Sequence, residues 1–408
     1  MRPRASNANQ RGFTLVELMV SLTAALMLTV SVFVISKQTT SLYQRENRVA
    51  AAQVGAVIGF ERLRADISRA GYMASPHALR DPFICGTPLT DATWPIGLRN
   101  MASLAIENEV PVPTVANANG LAPQRITLAG NFTSAEALPI RSVVTQGGNN
   151  LVYLQVQSGP LSRLGFSAVG ANQQAILAAA FPVGRAVRIV DKAGRHHYGT
   201  LRAVQASPVP MLTLAGNSPV LQFRSGSAIG CGLRGEETGA MINTVNFIRY
   251  RIGSLAGDSR YAALYPSTPV LDYDSNRTEL VREELDVAGA PLPGTSELVA
   301  EFAFDLRFRA TVASAPTNPL AYVDQAALSD WAGPASQIGA GRGPQLVRSV
   351  HTWLSVRSRE ADRAATIPVA NGPLHRLDLG GGGPTPFARV RTLQARIALP
   401  NQLGVTWQ

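Results

Sequence analysis

The sequence has very little lysine, few cysteines and almost no long apolar runs. Lys37 and Lys192 are the two lysines among 37 basic residues. The remaining basic residues are arginines scattered along the whole chain, an excess that a GC-rich genome can produce. Against 27 acidic residues they leave a net charge of +10. Without blocks of like charge, that excess argues against a dedicated nucleic-acid surface. Two cysteines, Cys85 and Cys231, exclude a disulfide-dense scaffold and a multi-cysteine metal centre. Outside the N-terminus no apolar run approaches the roughly 18 residues a membrane helix needs, which leaves one span. The catalytic signatures G-x-S-x-G, H-E-x-x-H and C-x-x-C are absent. His77, His196, His197, His351 and His375 are too dispersed to read as a metal site. The glycines at 339–344 and 380–383 lack the Lys-Ser/Thr ending of a phosphate-binding loop. These absences imply no enzyme, no cofactor and no metal. With 36 glycines and 27 prolines among short apolar runs, a β-rich body is expected.

What is present begins at the N-terminus. Residues 1–12, MRPRASNANQRG, carry Arg2, Arg4 and Arg11, no acid, and end in Gly12. Phe13 to Ile35 then form an apolar run broken by one charge, Glu17. At about 1.5 Å per residue this run makes a helix roughly 34 Å long, enough to cross a hydrocarbon core of about 30 Å. A secretory signal has a shorter apolar region and a small-residue cleavage site, neither of which is found here. A carboxylate inside a membrane helix is costly, so Glu17 reads as functional and needs a partner.

The segment Gly12-Phe13-Thr14-Leu15-Val16-Glu17 closely resembles the leader junction of the type IV prepilins. The resemblance implies a membrane peptidase that cuts between Gly12 and Phe13 and methylates Phe13. Glu17 would then be the fifth residue, and the Phe13 ammonium of one subunit would neutralise Glu17 of its neighbour, an attraction that low dielectric strengthens and desolvation opposes. Lys37, Arg45 and Arg48 follow the span, so the cytoplasmic N-terminus rests on the resemblance rather than on charge.

Past Ile35 no proline appears before Pro76. Ala56, Phe60, Leu63 and Ile67 recur at the spacing of an amphipathic helix, with Arg62, Arg64, Asp66 and Arg69 on the other face. One helix from Phe13 to Arg69, stopped near Gly71, is expected. Gly55 and Gly59 form a GxxxG pair, compatible with close helix approach or with a flexible joint. Beyond Gly71 the period changes to two. Strands are expected at 151–157, 186–190, 198–204, 244–252, 349–358 and 390–399, with a hairpin turn at Asp191–Gly194. In 301–309, Phe302, Phe304, Leu306 and Phe308 alternate with Glu301, Asp305, Arg307 and Arg309. Loops are expected from Pro82 to Pro123 and over 314–345. The fold class is α+β: a long N-terminal helix, transmembrane in its first half, packed on an antiparallel sheet with an enlarged β-rich insert. The expected partition is a leader at 1–12, a transmembrane half-helix at 13–35, an amphipathic half at 36–70, a variable β-rich region at 71–242 and a pilin-like sheet at 243–408.

Residues 12–73 and 243–400 also resemble the PilW-type minor pilins of type IV pili, through NFIRYRI, ELVREEL, SELVAEFAFDLRFRA, VRSVHTWLSVRSRE and FARVRTLQARIALPNQ. The chain departs from that family with Pro400-Asn401 at the end of the last strand, and its first cysteine, Cys85, comes late. Residues 75–240 match no pattern of the family. The resemblance implies an inner-membrane subunit with a periplasmic body that helps prime and assemble a pilus near its tip. Its partners would be other minor pilins, the major pilin, the prepilin peptidase, the inner-membrane assembly platform and a tip adhesin. Two alternatives stand beside this reading: a minor pseudopilin of type II secretion, and a tip adhesin or DNA-binding module. In the oxidising periplasm, Cys85 and Cys231 are expected to form a disulfide. Asp272, Asp274, Asn276 and Glu283 echo a calcium loop, but Arg277 stands where that loop needs glycine.

Overall fold

The computed structural model describes residues 14–85, 95–113, 116, 119–166, 172–215, 233, 239–265, 277–315, 321–326, 343–359, 374–376, 387–405 and 407. The chain divides into two units, residues 1–51 and 52–408.

Helix α1 runs unbroken from Leu15 to Ser68, 54 residues, as the absence of any proline before Pro76 allows. Its C-terminal part buries the expected stripe: Ala56, Phe60, Leu63, Ile67 and Ala70 lie in one apolar core. Burying each large side chain of this kind contributes about 1.5–3 kcal/mol. The helix stops before Gly71, whose φ of +75° suits a residue without Cβ. The Gly71 N–H leaves the helix to donate to the Ala129 carbonyl at 2.8 Å.

Two antiparallel sheets enclose that stripe. The first contains β1 (Leu104–Asn108), β2 (Gln124–Gly130), β8 (Met241–Gly253), β9 (Glu279–Leu285) and β10 (Glu297–Ala300). The second has β11 (Ala303–Ala315), β12 (Ala321–Ala326), β13 (Val347–Arg357), β14 (Leu374–Arg376) and β15 (Phe387–Ala398), in the order β12-β11-β13-β15-β14. Ile126, Leu128, Ile248, Tyr250 and Leu280 come from the first sheet, and Leu306, Phe308, Val350 and Leu354 from the second.

The enlarged middle is a barrel. Strands β3 (Leu138–Gln146), β4 (Asn149–Leu154), β5 (Ala186–Val190), β6 (His196–Gln205) and β7 (Met211–Ala215) pair β3-β4-β7-β6-β5. Strand β8 closes the ring by pairing with both β5 and β3. The closing contact is short: β3 meets β8 at Leu138 and Pro139. The interior is filled by side chains such as Ile140, Val152, Val187, Leu201, Leu212 and Ile242, with Leu161 and Leu177 supplied by two short helices. Strand β8 serves both bodies. Its residues 241–245 pair with the barrel, and residues 246–253 pair with β2 and β9.

The strand expectations at 186–190 and 244–252 and the turn at Asp191–Gly194 agree with the structure. Three others need correction. The stretch from Pro82 to Pro123 is not simply loop, because it contains helix α2 (Ile96–Arg99) and β1. Strand β12 lies inside the segment expected as loop at 314–345. Phe302 does not alternate within β11. It adopts φ +55° before the strand, and its ring lies 4.4 Å from the Arg277 guanidinium and 5.1 Å from that of Arg357.

The two glycines of the GxxxG pair have different surroundings. A Cβ on Gly59 would collide with the Val299 carbonyl oxygen and sit 3.0 Å from Ala300 Cβ, so this glycine permits the helix to approach β10. A Cβ on Gly55 would meet nothing within 4 Å. Gly59→Ala is therefore expected to destabilise the full chain by about 1–3 kcal/mol through overpacking. Gly55→Ala is expected to stabilise it by roughly 0.5–1 kcal/mol through helix propensity. Thermal unfolding of both variants in detergent, followed by circular dichroism, checks the pair; equal shifts would contradict the close approach.

Candidate assembly helix and its anchor

Among the described residues, Leu15–Thr40 is long and apolar enough to cross a membrane, with 26 residues, a mean hydropathy of 2.4 and none of it buried. Its hydroxyl groups bond within the helix. Ser21 donates to the Leu18 carbonyl at 3.0 Å, Thr29 to Ala25 at 2.7 Å, and Ser31 to Met27 at 2.8 Å. This local satisfaction is what a lipid solvent demands of polar groups.

Gly12 and Phe13 lie outside the described residues. Thr14 precedes the first helical turn, and Glu17 folds back onto it. The Thr14 N–H and hydroxyl donate to Glu17 Oε2 at 3.0 and 2.9 Å, and the Glu17 N–H donates to Thr14 Oγ1 at 3.3 Å. This reciprocal pattern is a capping box, in which two helix-start donors are satisfied by side chains. Sequence reasoning singled out Glu17 for its charge and missed its fit to the T-x-x-E spacing.

At the C-terminal end of α1 a buried charge fastens the helix to the first sheet. Asp66 accepts from Arg282 Nε of β9 at 2.8 Å and from the Tyr250 hydroxyl of β8 at 2.7 Å. The side chains of Asp66 and Arg282 are 6% and 7% exposed. Burial, followed by the Asp66 charge, raises the Tyr250 phenol above its ordinary range. Arg282 also reaches Glu297 of β10 at 3.1 Å. Sequence periodicity placed Asp66 on the solvent face of the helix, but it lies inside. The tyrosine and arginine that hold it lie 184 and 216 positions away.

The remaining candidate residues cluster beside β6. Cys85 is fully buried, and its N–H donates to the His196 carbonyl at 2.9 Å. Cys231 lies outside the described residues, and no free cysteine occurs among those described. His197 and Asp191 approach each other at 3.1 Å, and their ligand atoms and that of Cys85 lie within 4.8 Å of one another. His196 meets Asp81 at 3.3 Å. Burial lowers the His196 imidazole below its usual range, outweighing the Asp81 carboxylate beside it. Burial alone would raise Asp81, but hydrogen bonds from His196, Ser75 and the Phe83 N–H bring it below the usual carboxylate range.

Of the calcium-like residues, Asp272, Asp274 and Asn276 lie outside the described residues. Glu283 is buried in β9, accepting from Arg249 Nε at 2.6 Å and Arg251 Nε at 2.9 Å. Arg277 is buried against Glu279. Glu283 and Glu279 are thus committed to arginines.

Residues 7–33 match the model of the prokaryotic N-terminal methylation motif. No curated protein and no solved structure matches the chain. The motif covers a small part of the sequence, but it marks the N-terminus as a type IV prepilin-like signal and supports the pilin superfamily, as type IV pilin-like or pseudopilin. Together with the apolar helix, it fits inner-membrane anchoring with a periplasmic body.

Removing one partner of the buried pair should cost more than removing both. Asp66→Ala is expected to destabilise the chain by about 3–5 kcal/mol by leaving the Arg282 charge without its main partner. The double variant Asp66→Leu with Arg282→Met should recover part of that loss. Chemical denaturation of the wild type, of Asp66→Ala, of Asp66→Leu and Arg282→Met singly, and of the double variant tests this, and a double variant as unstable as the sum of the two singles would show the pair to be uncoupled.

Proposed function

We propose that the protein is a minor pilin of a type IV pilus, of the PilW type, cut between Gly12 and Phe13 and incorporated into the filament through α1. The observation that carries this reading is a coincidence at one place. The methylation motif spans residues 7–33, the membrane-crossing helix begins at Leu15, and the one carboxylate of the apolar run, Glu17, stands in its first turn. A structural role in assembly follows, with other pilins and the prepilin peptidase as partners. The large body favours a minor subunit near the tip or in the priming complex over a repeating major one.

The capping box gives Glu17 two successive partners in this reading. In the free subunit its carboxylate is occupied by Thr14. On docking it exchanges part of that bonding for the Phe13 ammonium of a neighbour, so the charge is never left bare in the membrane. A second element of the proposal is the Cys85–Cys231 disulfide, which pins the segment after α1 to the variable middle. A sulfur so bonded offers no thiolate to a metal, and the nearby His197 and Asp191 then serve as packing partners of the bridge.

Intact mass and N-terminal sequencing of the protein from its native membranes test the processing. A chain beginning at methylated Phe13 is expected, and one that retains residues 1–12 despite an active prepilin peptidase would sink the pilin reading. Glu17→Gln keeps the hydrogen bonding of the capping box but removes the charge. It is expected to leave helix content unchanged and to abolish incorporation into sheared filaments; normal incorporation would refute the charge pairing. For the disulfide, alkylation of the denatured, non-reduced protein should label no cysteine. Two labelled thiols would rule the bond out.

A further inference from the structure

Strand β6 and the turn before it gather three metal-ligating side chains from distant parts of the chain. The Cys85 N–H donates to the His196 carbonyl at 2.9 Å, and the His196 N–H donates to the Phe83 carbonyl at 2.7 Å. These bonds lay the segment after α1 along β6 and hold Cys85 beside it. Asp191 opens the turn between β5 and β6. Its Oδ1 accepts from the Ala193 N–H at 2.8 Å and the Arg195 N–H at 2.9 Å, while its Oδ2 faces His197 Nε2 at 3.1 Å. Donor atoms of Cys85, Asp191 and His197 lie within 4.8 Å of one another, and among the described residues no other group of three is brought together in this way.

All three residues are buried, Cys85 and His197 completely and Asp191 with 8% exposed. A thiolate, an imidazole and a carboxylate are the ligand types of zinc, which takes sulfur at about 2.3 Å and nitrogen or oxygen at about 2.0–2.2 Å in a tetrahedral array. Such an array has edges of roughly 3.3–3.7 Å, so the donors need to close by at most about 1.5 Å. Charge favours the same ion. A buried thiolate beside a buried carboxylate is repelled by it, and a divalent cation between the two neutralises both. The two N–H groups on Asp191 Oδ1 fix the carboxylate as outer hydrogen bonds fix metal ligands.

We propose that Cys85, His197 and Asp191 bind a zinc ion while Cys85 is a thiol, and that this ion and the Cys85–Cys231 bond exclude each other. One sulfur serves both states, and a disulfide sulfur offers no thiolate. Binding exchanges the hydrogen bond between His197 and Asp191 for a bond from each to the metal. Forming the bridge then releases the ion. A small disulfide takes two electrons from the Cys85 thiolate and the Cys231 thiol. The Cys85–Cys231 bond forms, the S–S bond of the reagent breaks, and two small thiols leave with one proton from Cys231 and one from water. Until then the ion ties the segment after α1 to the barrel and shields the thiolate from oxidation to a sulfenic acid. Cys85 is distant in sequence from Asp191 and His197, so no ligand spacing announces the site. The exclusion rests on the proposed disulfide, whereas the metal site does not.

Cys231→Ser leaves Cys85 without a partner for the bridge. The full chain with this substitution, in non-ionic detergent and without reductant, should bind one equivalent of zinc. Cobalt in place of zinc should give a thiolate-to-metal charge-transfer band. Adding Cys85→Ser or His197→Asn should abolish both signals, and adding Asp191→Asn should weaken binding. Adding His351→Asn, on the second sheet, should leave them intact. Melting temperatures verify that each variant is folded, and the reduced wild type gives the same readout with no substitution. The unreduced wild type should bind no zinc, and oxidised glutathione should displace zinc from the reduced protein. Absence of zinc from both folded Cys231→Ser and the reduced wild type, or undiminished binding without Cys85 or His197, would overturn the metal site. Zinc on an unreduced wild type that shows no alkylatable thiol after denaturation would overturn the exclusion. Zinc on an unreduced wild type in which both thiols alkylate would uphold the site and sink the disulfide instead.

Discussion

The stripe from Ala56 to Ala70 leaves water only because two antiparallel sheets meet over it, and much of the order beyond residue 51 follows from that burial. The first sheet must come close to the helix, which Gly59 permits by lacking a Cβ beneath the Val299 carbonyl. Close approach removes Asp66 from water, and a buried carboxylate needs compensation. Arg282 and Tyr250, on adjacent strands β9 and β8, supply it. Apolar burial thus sets the distance between helix and sheet, while the buried charge sets their register. The first effect is the larger in energy, and the second selects one alignment among several that would hide the same apolar area.

The barrel obeys a different constraint. Its six strands complete one another, and its core is separate from that around the helix. A third cluster, with Ala74, Leu98, Met101, Tyr198, Val245 and Phe247, fills the junction between the two. Tyr198, fully buried there, has its phenol pushed up to about 12, chiefly by burial, and accepts from the Ser75 N–H at 3.0 Å. The segment just after α1 therefore joins helix, sheet and barrel.

How much of this could be read from the sequence varied with the range of the interactions involved. The helix and strands β5 and β8 were legible because their apolar residues recur at a local period. The short helix α2 and strands β1 and β12 were missed, being brief and set among prolines or glycines whose turn signal dominates. Phe302 was placed on the wrong side of a boundary. Alternation continued through it, but its backbone turns into the left-handed region and its ring packs between two arginines. The membrane helix and Glu17 were visible in the first 35 residues. The cap that Thr14 gives Glu17 and the inward position of Asp66 were not, since each depends on a backbone angle or on tertiary packing that no local pattern states.

Strand β8 has a mechanical consequence. A thirteen-residue strand shared between a closed barrel and an open sheet leaves no linker at which the two bodies could hinge. A pull on the barrel along this strand would load the hydrogen bonds to β2 and β9 side by side, in shear, rather than one after another as in peeling. Separating the bodies would require rupturing several ladder bonds together. The inserted barrel is thus mounted as a stiff extension of the sheet, able to pass tension to the buried end of the helix without first unfolding.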